Sequence, residues 1–310
     1  MDGTSPTLRS EAVLLGGENR SGTTLLSVVL DAHPDLVVGP ELDFTEPPDL
    51  GPHVLQACEL LAARDPRVLG PGTDAADPFW YDGAHFVKQC ERFGVSIGDL
   101  ATTVTVVTAE LRTNLSDLDD RCVLIDRLGN LRRNRLGVAR WGIKLQRRIR
   151  DVDGYARRWP AARFVHIVRD GRDLAASHLR TVPSWGYKTI RQAAEGWLQV
   201  VSRPHLVAPH GRYLEIRYED MVVNPRETTE RITDFLGIDW HDAMLRHASY
   251  EHSLFARPWG HPAAEAAARP IAPDRIGRYR HDLTLAQVAE FEQIAGAELE
   301  RLGYLGRPVS

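Results

Sequence analysis

A pattern of glycines and threonines near the N-terminus has the spacing of an anion-binding loop. Gly17 and Gly22 enclose four residues, and Thr23 and Thr24 follow directly. The apolar run 12–15 predicts a short buried strand before the pattern, and the apolar spacing after it predicts a helix. A glycine-bearing loop between a strand and a helix directs backbone N–H groups to one point, where the helix dipole favours negative charge. We therefore predict a phosphate or sulfate site here, in preference to a turn without a ligand.

The loop resembles two kinds of phosphate-binding loop. Its spacing nearly matches that of nucleotide triphosphatases, but Thr23 occupies the position of their lysine. Together with Asp31-Ala32-His33-Pro34, it is similar to the 5′-phosphosulfate loop of sulfotransferases that use 3′-phosphoadenosine-5′-phosphosulfate (PAPS). This resemblance implies that PAPS is the cofactor and 3′,5′-ADP its product. It also implies that the phosphosulfate is bound by Arg20, Ser21, Gly22, Thr23 and Thr24.

A second phosphate motif follows in the middle of the chain. The strand pattern 163–168 leads into Arg169-Asp170-Gly171-Arg172-Asp173 at the start of a predicted helix. Arginine binds phosphate through two parallel hydrogen bonds, and Ser177 lies two helical turns later. The segment resembles the 3′-phosphate motif of the same sulfotransferases, which implies that Arg169 and Ser177 hold the 3′-phosphate. His166 alternates with apolar neighbours and is interpreted as a structural histidine of the strand.

A carboxylate follows the second predicted strand, 36–39. Ligands of an open parallel sheet bind beyond the carboxyl ends of its strands, so we expect Glu41 to lie near the anion loop. A carboxylate there would repel a bound anion, which indicates that Glu41 has a functional role. The alternative interpretation is that Glu41 is a helix cap or an ordinary surface charge. In tyrosylprotein-type sulfotransferases, which this chain resembles most by motif, a glutamate at this point is the catalytic base. The resemblance implies that role for Glu41, with Asp43 and Glu46 as weaker candidates.

A lysine is a further candidate for the transfer step. The strand pattern 141–144 ends at Lys144, one of only three lysines in the sequence. Members of the family carry a lysine at this point, upstream of the second phosphate motif. The resemblance implies that Lys144 and Arg20 stabilise charge on the transferring sulfuryl group and on the leaving phosphate.

Residues in the last third of the chain complete the family pattern. The run 213–220 predicts another strand, and Asn224-Pro225 behind it is typical of a helix start. The resemblance places Tyr218 near the adenosine of PAPS. It assigns Arg278 and Tyr279 to a basic loop that covers the nucleotide.

The composition fits one large core, since the chain has 310 residues of which 43% are hydrophobic. We predict an α/β fold with a P-loop-like parallel sheet flanked by helices. We expect a single sulfotransferase domain over 1–310, with a mostly helical insertion at about 47–140 that shapes the acceptor pocket. Helical spacing in that insertion occurs at 54–63, 79–93 and 100–115.

Cellular compartment and partners follow from what the sequence lacks. No apolar run has the length of a membrane span, and the first ten residues do not have the layout of a signal peptide. The three cysteines are odd in number and have no metal-type spacing. We therefore expect a cytoplasmic protein that requires no metal and binds no membrane.

Charge is distributed unevenly and bears on the ligands. Residues 1–120 carry 7 basic and 20 acidic side chains, whereas residues 121–180 carry 16 basic and 5 acidic ones. The basic block beside a phosphate loop favours an anionic cofactor, and nucleic acid is disfavoured because aromatic residues are not interleaved with the arginines. Asp43 stands where tyrosylprotein sulfotransferases carry an arginine. We therefore expect a small-molecule acceptor, neutral or cationic, with a hydroxyl or an amine.

A phosphate-binding loop of this kind is also compatible with two functions other than a PAPS-dependent sulfotransferase. A small-molecule kinase built on the same loop is disfavoured because the loop lysine is missing and no acidic strand end is clearly suited to magnesium. A nucleotide-binding regulator without turnover would leave Glu41 and Lys144 unexplained. The sequence thus favours transfer of a sulfuryl group from PAPS.

Overall fold

One parallel sheet forms the centre of the protein. The computed structural model describes residues 8–42, 48–63, 83–181, 186–252 and 268–306. Within these ranges, five parallel strands form a sheet in the order β2-β3-β1-β4-β5. The strands are β1 (Val13–Gly16), β2 (Leu36–Glu41), β3 (Arg140–Gln146), β4 (Arg163–Val168) and β5 (Tyr213–Arg217).

Helices cover both faces of this sheet, and as a result β1 is buried on both sides. Successive residues of a strand point to opposite faces. Leu14 accordingly packs in one apolar cluster with Trp141 and Phe164. Val13 and Leu15 pack in another cluster, together with Leu26 of the first helix. The predicted α/β fold with a parallel sheet between helices is therefore confirmed.

The described helices lie between the strands along the chain and after β5. None of them is long and apolar enough to cross a membrane. Their bounds are α1 (Thr23–Asp31), α2 (Leu50–Ala62), α3 (His85–Arg92), α4 (Ile97–Leu111), α5 (Leu118–Leu136), α6 (Val152–Arg158), α7 (Gly171–Thr181), α8 (Ile190–Val201), α9 (Pro204–Val207), α10 (Tyr218–Val223), α11 (Pro225–Leu236), α12 (Tyr279–Asp282) and α13 (Leu285–Arg301). Two 3₁₀ helices span Arg147–Asp151 and Asp242–Ser249.

Four of these helices, α2 to α5, lie between β2 and β3. The predicted stretch 100–115 is shifted, since α4 ends at Leu111 and the left-handed Arg112, with a φ of 54°, follows it. The sequence did not predict α5, whose many arginines obscure its apolar positions. Asp117 caps α5 by accepting a hydrogen bond from Asp120 N, and Gly137 ends it with a φ of 69°. Residues 79–82 of the predicted stretch 79–93 lie outside the described residues.

The carboxyl ends of the strands that hold the candidate site residues differ from the predicted ends. β2 runs to Glu41, and β3 continues two residues past Lys144, so the prediction that this strand ends at Lys144 was wrong. Glu41 and Lys144 are partners in the β2–β3 ladder. The prediction of a strand over 213–220 was wrong after Arg217, because Tyr218 begins α10.

Candidate active site

The anion loop, residues 17–24, connects β1 to α1 and includes the first two residues of that helix. Gly17 N donates a hydrogen bond of 3.1 Å to the carbonyl of Gln146. Gly22 has a φ of 97°, and a Cβ added there would lie 2.6 Å from Cδ2 of Tyr218. Only glycine fits that position without a shift of the ring. No side chain caps α1, so the backbone N–H groups of its first turn are available to an anion.

A buried carboxylate inside the loop was not predicted from the sequence. Glu18 is only 1% exposed and accepts a hydrogen bond of 2.9 Å from Asn19 N. Its Oε2 lies 3.0 Å from Nε of Arg147, which follows β3. Burial raises the pKa of Glu18 to about 7, although the charge of Arg147 acts against that rise. The loop thus contains an ionisable group that can titrate near neutral pH.

Glu41 lies at the carboxyl end of β2 near the anion loop, as predicted from the rule that ligands bind beyond the carboxyl ends of parallel strands. A polar cluster surrounds it. Lys144 Nζ is 3.1 Å from Glu41 Oε1 and 3.4 Å from Thr24 Oγ1. Gln146 donates from Nε2 to the same Glu41 oxygen, and its Oε1 accepts a hydrogen bond of 2.9 Å from Thr23 Oγ1. The cluster therefore joins a carboxylate and an ammonium group to both threonines of the anion loop.

The two phosphate motifs meet directly. Arg20 Nε donates a hydrogen bond of 3.1 Å to Ser177 Oγ. Arg169 donates from Nη1 to the carbonyl of Arg20 at 3.1 Å, and its guanidinium lies 4.7 Å from the centre of the Tyr218 ring. The structure thus brings together Arg20, Arg169, Ser177 and Tyr218, which lie far apart in the sequence.

The basic loop at 275–279 is fixed to α7 by one carboxylate. Asp173 accepts hydrogen bonds from Gly277 N at 2.7 Å and from Tyr279 N at 2.9 Å. Tyr279 is largely buried, with its ring 4.3 Å from the Arg172 guanidinium. Arg278 forms an ion pair of 3.0 Å with Asp282 of α12.

Arg275 of this loop also acts on the anion loop, a role that was not predicted from the sequence. The carbonyl of Arg275 accepts a hydrogen bond of 2.6 Å from Nη2 of Arg169. Burial lowers the pKa of Arg20, and the positive charges of Arg275 and Arg169 lower it further. Such a concentration of cations is what two phosphate groups of one ligand require. The only local signal in the sequence was the richness of 275–280 in arginine.

Two buried polar atoms indicate whether the region between the anion loop and Arg169 can bind an anionic nucleotide. Within the described ranges, the buried Ser21 Oγ and Arg169 Nε have no hydrogen-bond partner. Unsatisfied buried donors beside an uncapped helix start fit an anionic ligand better than they fit an empty turn. The residues present therefore suit a cofactor with one anionic group at the anion loop and another at Arg169.

Other candidates from the sequence are placed elsewhere. Asp43 and Glu46 lie outside the described residues. His166 is buried in β4, with Nδ1 2.7 Å from Tyr213 Oη, and burial lowers its pKa to about 3. It is therefore a structural histidine, as interpreted from the sequence. In the part of the chain that the structure describes, no group of three or more histidine, cysteine or acidic side chains could hold a metal ion.

Comparison with known proteins places the chain among sulfotransferases. Protein-tyrosine sulfotransferase A of Caenorhabditis elegans is 22% identical over 301 residues, which are 95% of this chain and 67% of that protein. The sulfotransferase domain of the Synechococcus PCC 7002 olefin synthase superimposes with a TM-score of 0.61 and 22% identity, over 95% of this chain and 97% of that one. The sulfotransferase domain of the curacin biosynthetic pathway gives 0.58 and 15%, over 93% and 98%. These two structures share the fold.

A family model gives the family of the chain directly. The model of the sulfotransferase family matches residues 12–242, a range that contains the anion loop, Glu41, Lys144 and the Arg169–Ser177 motif. Because this match covers well over half of the sequence, the chain belongs to the sulfotransferase family, as its two phosphate motifs predicted.

Proposed function

We propose that the protein transfers a sulfuryl group from PAPS to a hydroxyl or an amine of a small molecule. The observation that carries the proposal is the contact between Arg20 and Ser177, at 3.1 Å. It brings the anion loop and the second phosphate motif to one place. PAPS has a phosphosulfate at its 5′ position and a phosphate at its 3′ position, so its two anionic groups match this pair of motifs.

Different residues of the chain would bind different groups of this cofactor. The anion loop and the start of α1, with Arg20, Ser21, Gly22, Thr23 and Thr24, would hold the 5′-phosphosulfate. Arg169 and Ser177 would hold the 3′-phosphate. Tyr218 would lie beside the adenosine, and the loop with Arg275, Arg278 and Tyr279 would cover the nucleotide.

The transfer itself needs a proton acceptor and a stabiliser of negative charge. Bound PAPS supplies an activated sulfuryl group. Glu41 would take the proton of the acceptor hydroxyl, for which its place at a strand end beside the anion loop is suited. Lys144 and Arg20 would stabilise negative charge as the new bond forms, mainly by position and electrostatics.

The acceptor is proposed from charge. The first 120 residues, which supply Glu41 and α2 to α4, carry 20 acidic side chains against 7 basic ones. An acidic excess in the segment that supplies the proposed base would disfavour anionic acceptors and favour neutral or cationic ones, such as a sugar, a nucleoside or an amine. We also infer a reducing, cytoplasmic compartment, because Cys58, Cys90 and Cys122 are all buried and free.

A thermal-shift panel tests this function against its alternatives. The panel consists of 3′,5′-ADP, PAPS, ATP and NAD. We expect 3′,5′-ADP and PAPS to stabilise the protein, by about 2.7 kcal/mol at a hundredfold excess over Kd. Stabilisation by ATP alone would favour the small-molecule kinase instead. A second step follows labelled sulfate from PAPS into neutral alcohols, amines and an acidic tyrosine peptide, where failure with every acceptor would favour a regulator without turnover.

A further inference from the structure

Gln146 makes three hydrogen bonds at the end of β3, and each reaches a different part of the candidate site. Its side-chain Oε1 accepts from Thr23 Oγ1 at 2.9 Å. Its Nε2 donates to Glu41 Oε1. Its backbone carbonyl accepts from Gly17 N at 3.1 Å, so the main chain of Gln146 also supports the anion loop.

The backbone at Gln146 is unusual for a residue that is not glycine. Its φ is 49° and its ψ is −132°, outside the regions that side-chain-bearing residues commonly adopt. The β1–β3 register shifts at the same place, since Leu15 pairs with Lys144 and Gly16 pairs with Gln146. A register shift of this kind redirects side chains at the end of a strand. Local strain of this sort is found where the surrounding structure holds a residue for a function.

The chemistry of the three side chains fixes the direction of these hydrogen bonds. An ionised carboxylate only accepts, a threonine hydroxyl can donate, and an amide can do both at once. Gln146 can therefore bridge Glu41 and Thr23 without exchanging a proton with either. Lys144 Nζ contacts the same carboxylate oxygen at 3.1 Å, so two donors from neighbouring positions of β3 orient Glu41.

We propose that Gln146 is a positioning residue that orients the Glu41 carboxylate for the transfer step and links it to Thr23 of the anion loop. This inference rests on the proposed function, in which Glu41 takes the proton of the acceptor. Gln146 touches neither cofactor nor acceptor in this role. It acts on the transfer step through Glu41, and its second side-chain hydrogen bond supports Thr23. Its loss should therefore reduce the rate of transfer much more than it weakens nucleotide binding.

The test combines Gln146→Met, Glu41→Gln and the double variant. Methionine keeps the length of the side chain and removes both of its hydrogen bonds. Transfer from labelled PAPS to water, followed as sulfate release, requires no knowledge of the acceptor. We expect Gln146→Met to lower this rate about 10- to 100-fold, with the Kd for 3′,5′-ADP changed less than about threefold. In the Glu41→Gln background it should cause no further loss, because interacting residues are not additive.

A spectroscopic measurement tests the contact without turnover. The side-chain amide signal of Gln146 in a ¹H–¹⁵N spectrum should move in Glu41→Gln, whereas the signal of Gln192 should not. Gln192 is the matched control, since its Oε1 accepts from Lys188 N at 3.0 Å at the start of α8. Gln192→Met should also leave the rate of sulfate release unchanged.

Three results would overturn the inference. They are a Gln146→Met rate close to that of the unchanged protein, an equal loss in both backgrounds, and an unmoved amide signal. Failure of 3′,5′-ADP to bind the unchanged protein is a separate result, which would contradict the proposed function itself. Thermal unfolding of each variant confirms that it is folded at the assay temperature.

Discussion

The ammonium group of Lys144 lies 3.1 Å from Oε1 of Glu41, and the lysine side chain is completely buried while the glutamate is partly exposed. A buried lysine without a counter-charge is strongly unfavourable, so Glu41 contributes to the stability of this strand end. The same carboxylate faces the anion loop through Gln146 and Thr23. The same set of contacts therefore serves the structural role of Glu41, which neutralises Lys144, and its proposed catalytic role beside the anion loop.

Replacement of Glu41 by glutamine tests the base. The amide keeps the shape of the carboxylate but cannot take a proton, so turnover should fall about 10²- to 10⁴-fold. Affinity for 3′,5′-ADP, measured by calorimetry, should stay within about threefold because Glu41 itself does not contact the nucleotide in the proposed site. Glu59→Gln, an exposed change in α2, should have no effect on either quantity. Normal turnover in Glu41→Gln would move the role to another acid, such as Asp43 or Glu46.

The buried Glu18 predicts a pH dependence of stability. Its pKa rises from 4.5 to about 7 in the fold, so the folded state favours the neutral acid. Its contribution is fully present below pH 4.5 and is lost as the pH rises to about 7, by about 3 kcal/mol in the free energy of unfolding. Glu18→Gln cannot titrate and should lack this loss.

Urea unfolding between pH 4.5 and pH 8 measures that difference. The free energy of unfolding of Glu18→Gln, relative to the unchanged protein, should increase across this range. Glu227→Gln, an exposed change in α11, should run parallel to the unchanged protein. Parallel curves for Glu18→Gln as well would show that Arg147 keeps Glu18 ionised throughout.

Gly22→Ala tests the shape of the anion loop. Alanine is strained at a φ of 97°, and its Cβ would lie 2.6 Å from Cδ2 of Tyr218. Strain of about 1–3 kcal/mol should weaken binding of 3′,5′-ADP by about 5- to 100-fold or lower the melting temperature. Gly98→Ala is the control, since nothing lies within 4 Å of its added Cβ in α4, and it should bind normally. Unchanged binding and stability in Gly22→Ala would contradict this geometry.

Local patterns in the sequence were enough for the sheet and for the two phosphate motifs. A strand, a glycine-bearing loop and a helix start within 20 residues, so Gly22 and Thr23 could be placed from spacing alone. The rule that ligands bind beyond the carboxyl ends of parallel strands then placed Glu41 beside the loop. The contact of Lys144 with Glu41 was not predicted, because it depends on the pairing of β2 with β3, and the sequence placed the lysine at the strand end rather than inside β3.

Contacts between distant segments could not be predicted in the same way. Gln146 lies 105 residues from Glu41 and 123 from Thr23, and nothing in its neighbourhood in the sequence marks it. Arg275 reaches Arg169 across 106 residues. Glu18 looked like an ordinary polar loop residue, and only the fold shows that it is buried against Arg147. Such partners are fixed by tertiary packing, which leaves no periodic signal.

Net charge along the sequence also does not give the charge around one group. Residues 1–120 are strongly acidic, yet α3 within them carries the buried Lys88 and the half-buried Arg92. Burial lowers the pKa of Arg92, and the nearby charge of Glu41 acts in the opposite direction. Cations therefore lie close to the proposed base, and the comparison of neutral, cationic and acidic acceptors decides how this affects specificity.

The proposed binding of a 3′-phosphate by Arg169 and Ser177 distinguishes PAPS from other nucleotides as the cofactor. Calorimetry of 3′,5′-ADP and 5′-AMP tests it most directly, with the unchanged protein and Arg169→Ala compared in the same buffer. We expect 3′,5′-ADP to bind about 10- to 100-fold more tightly than 5′-AMP, since charged hydrogen bonds contribute about 1.5–3 kcal/mol, and Arg169→Ala to remove most of that preference. Arg163→Ala, at the other end of β4, should keep it. Equal affinity of the unchanged protein for the two nucleotides would contradict the assignment of a PAPS-dependent sulfotransferase.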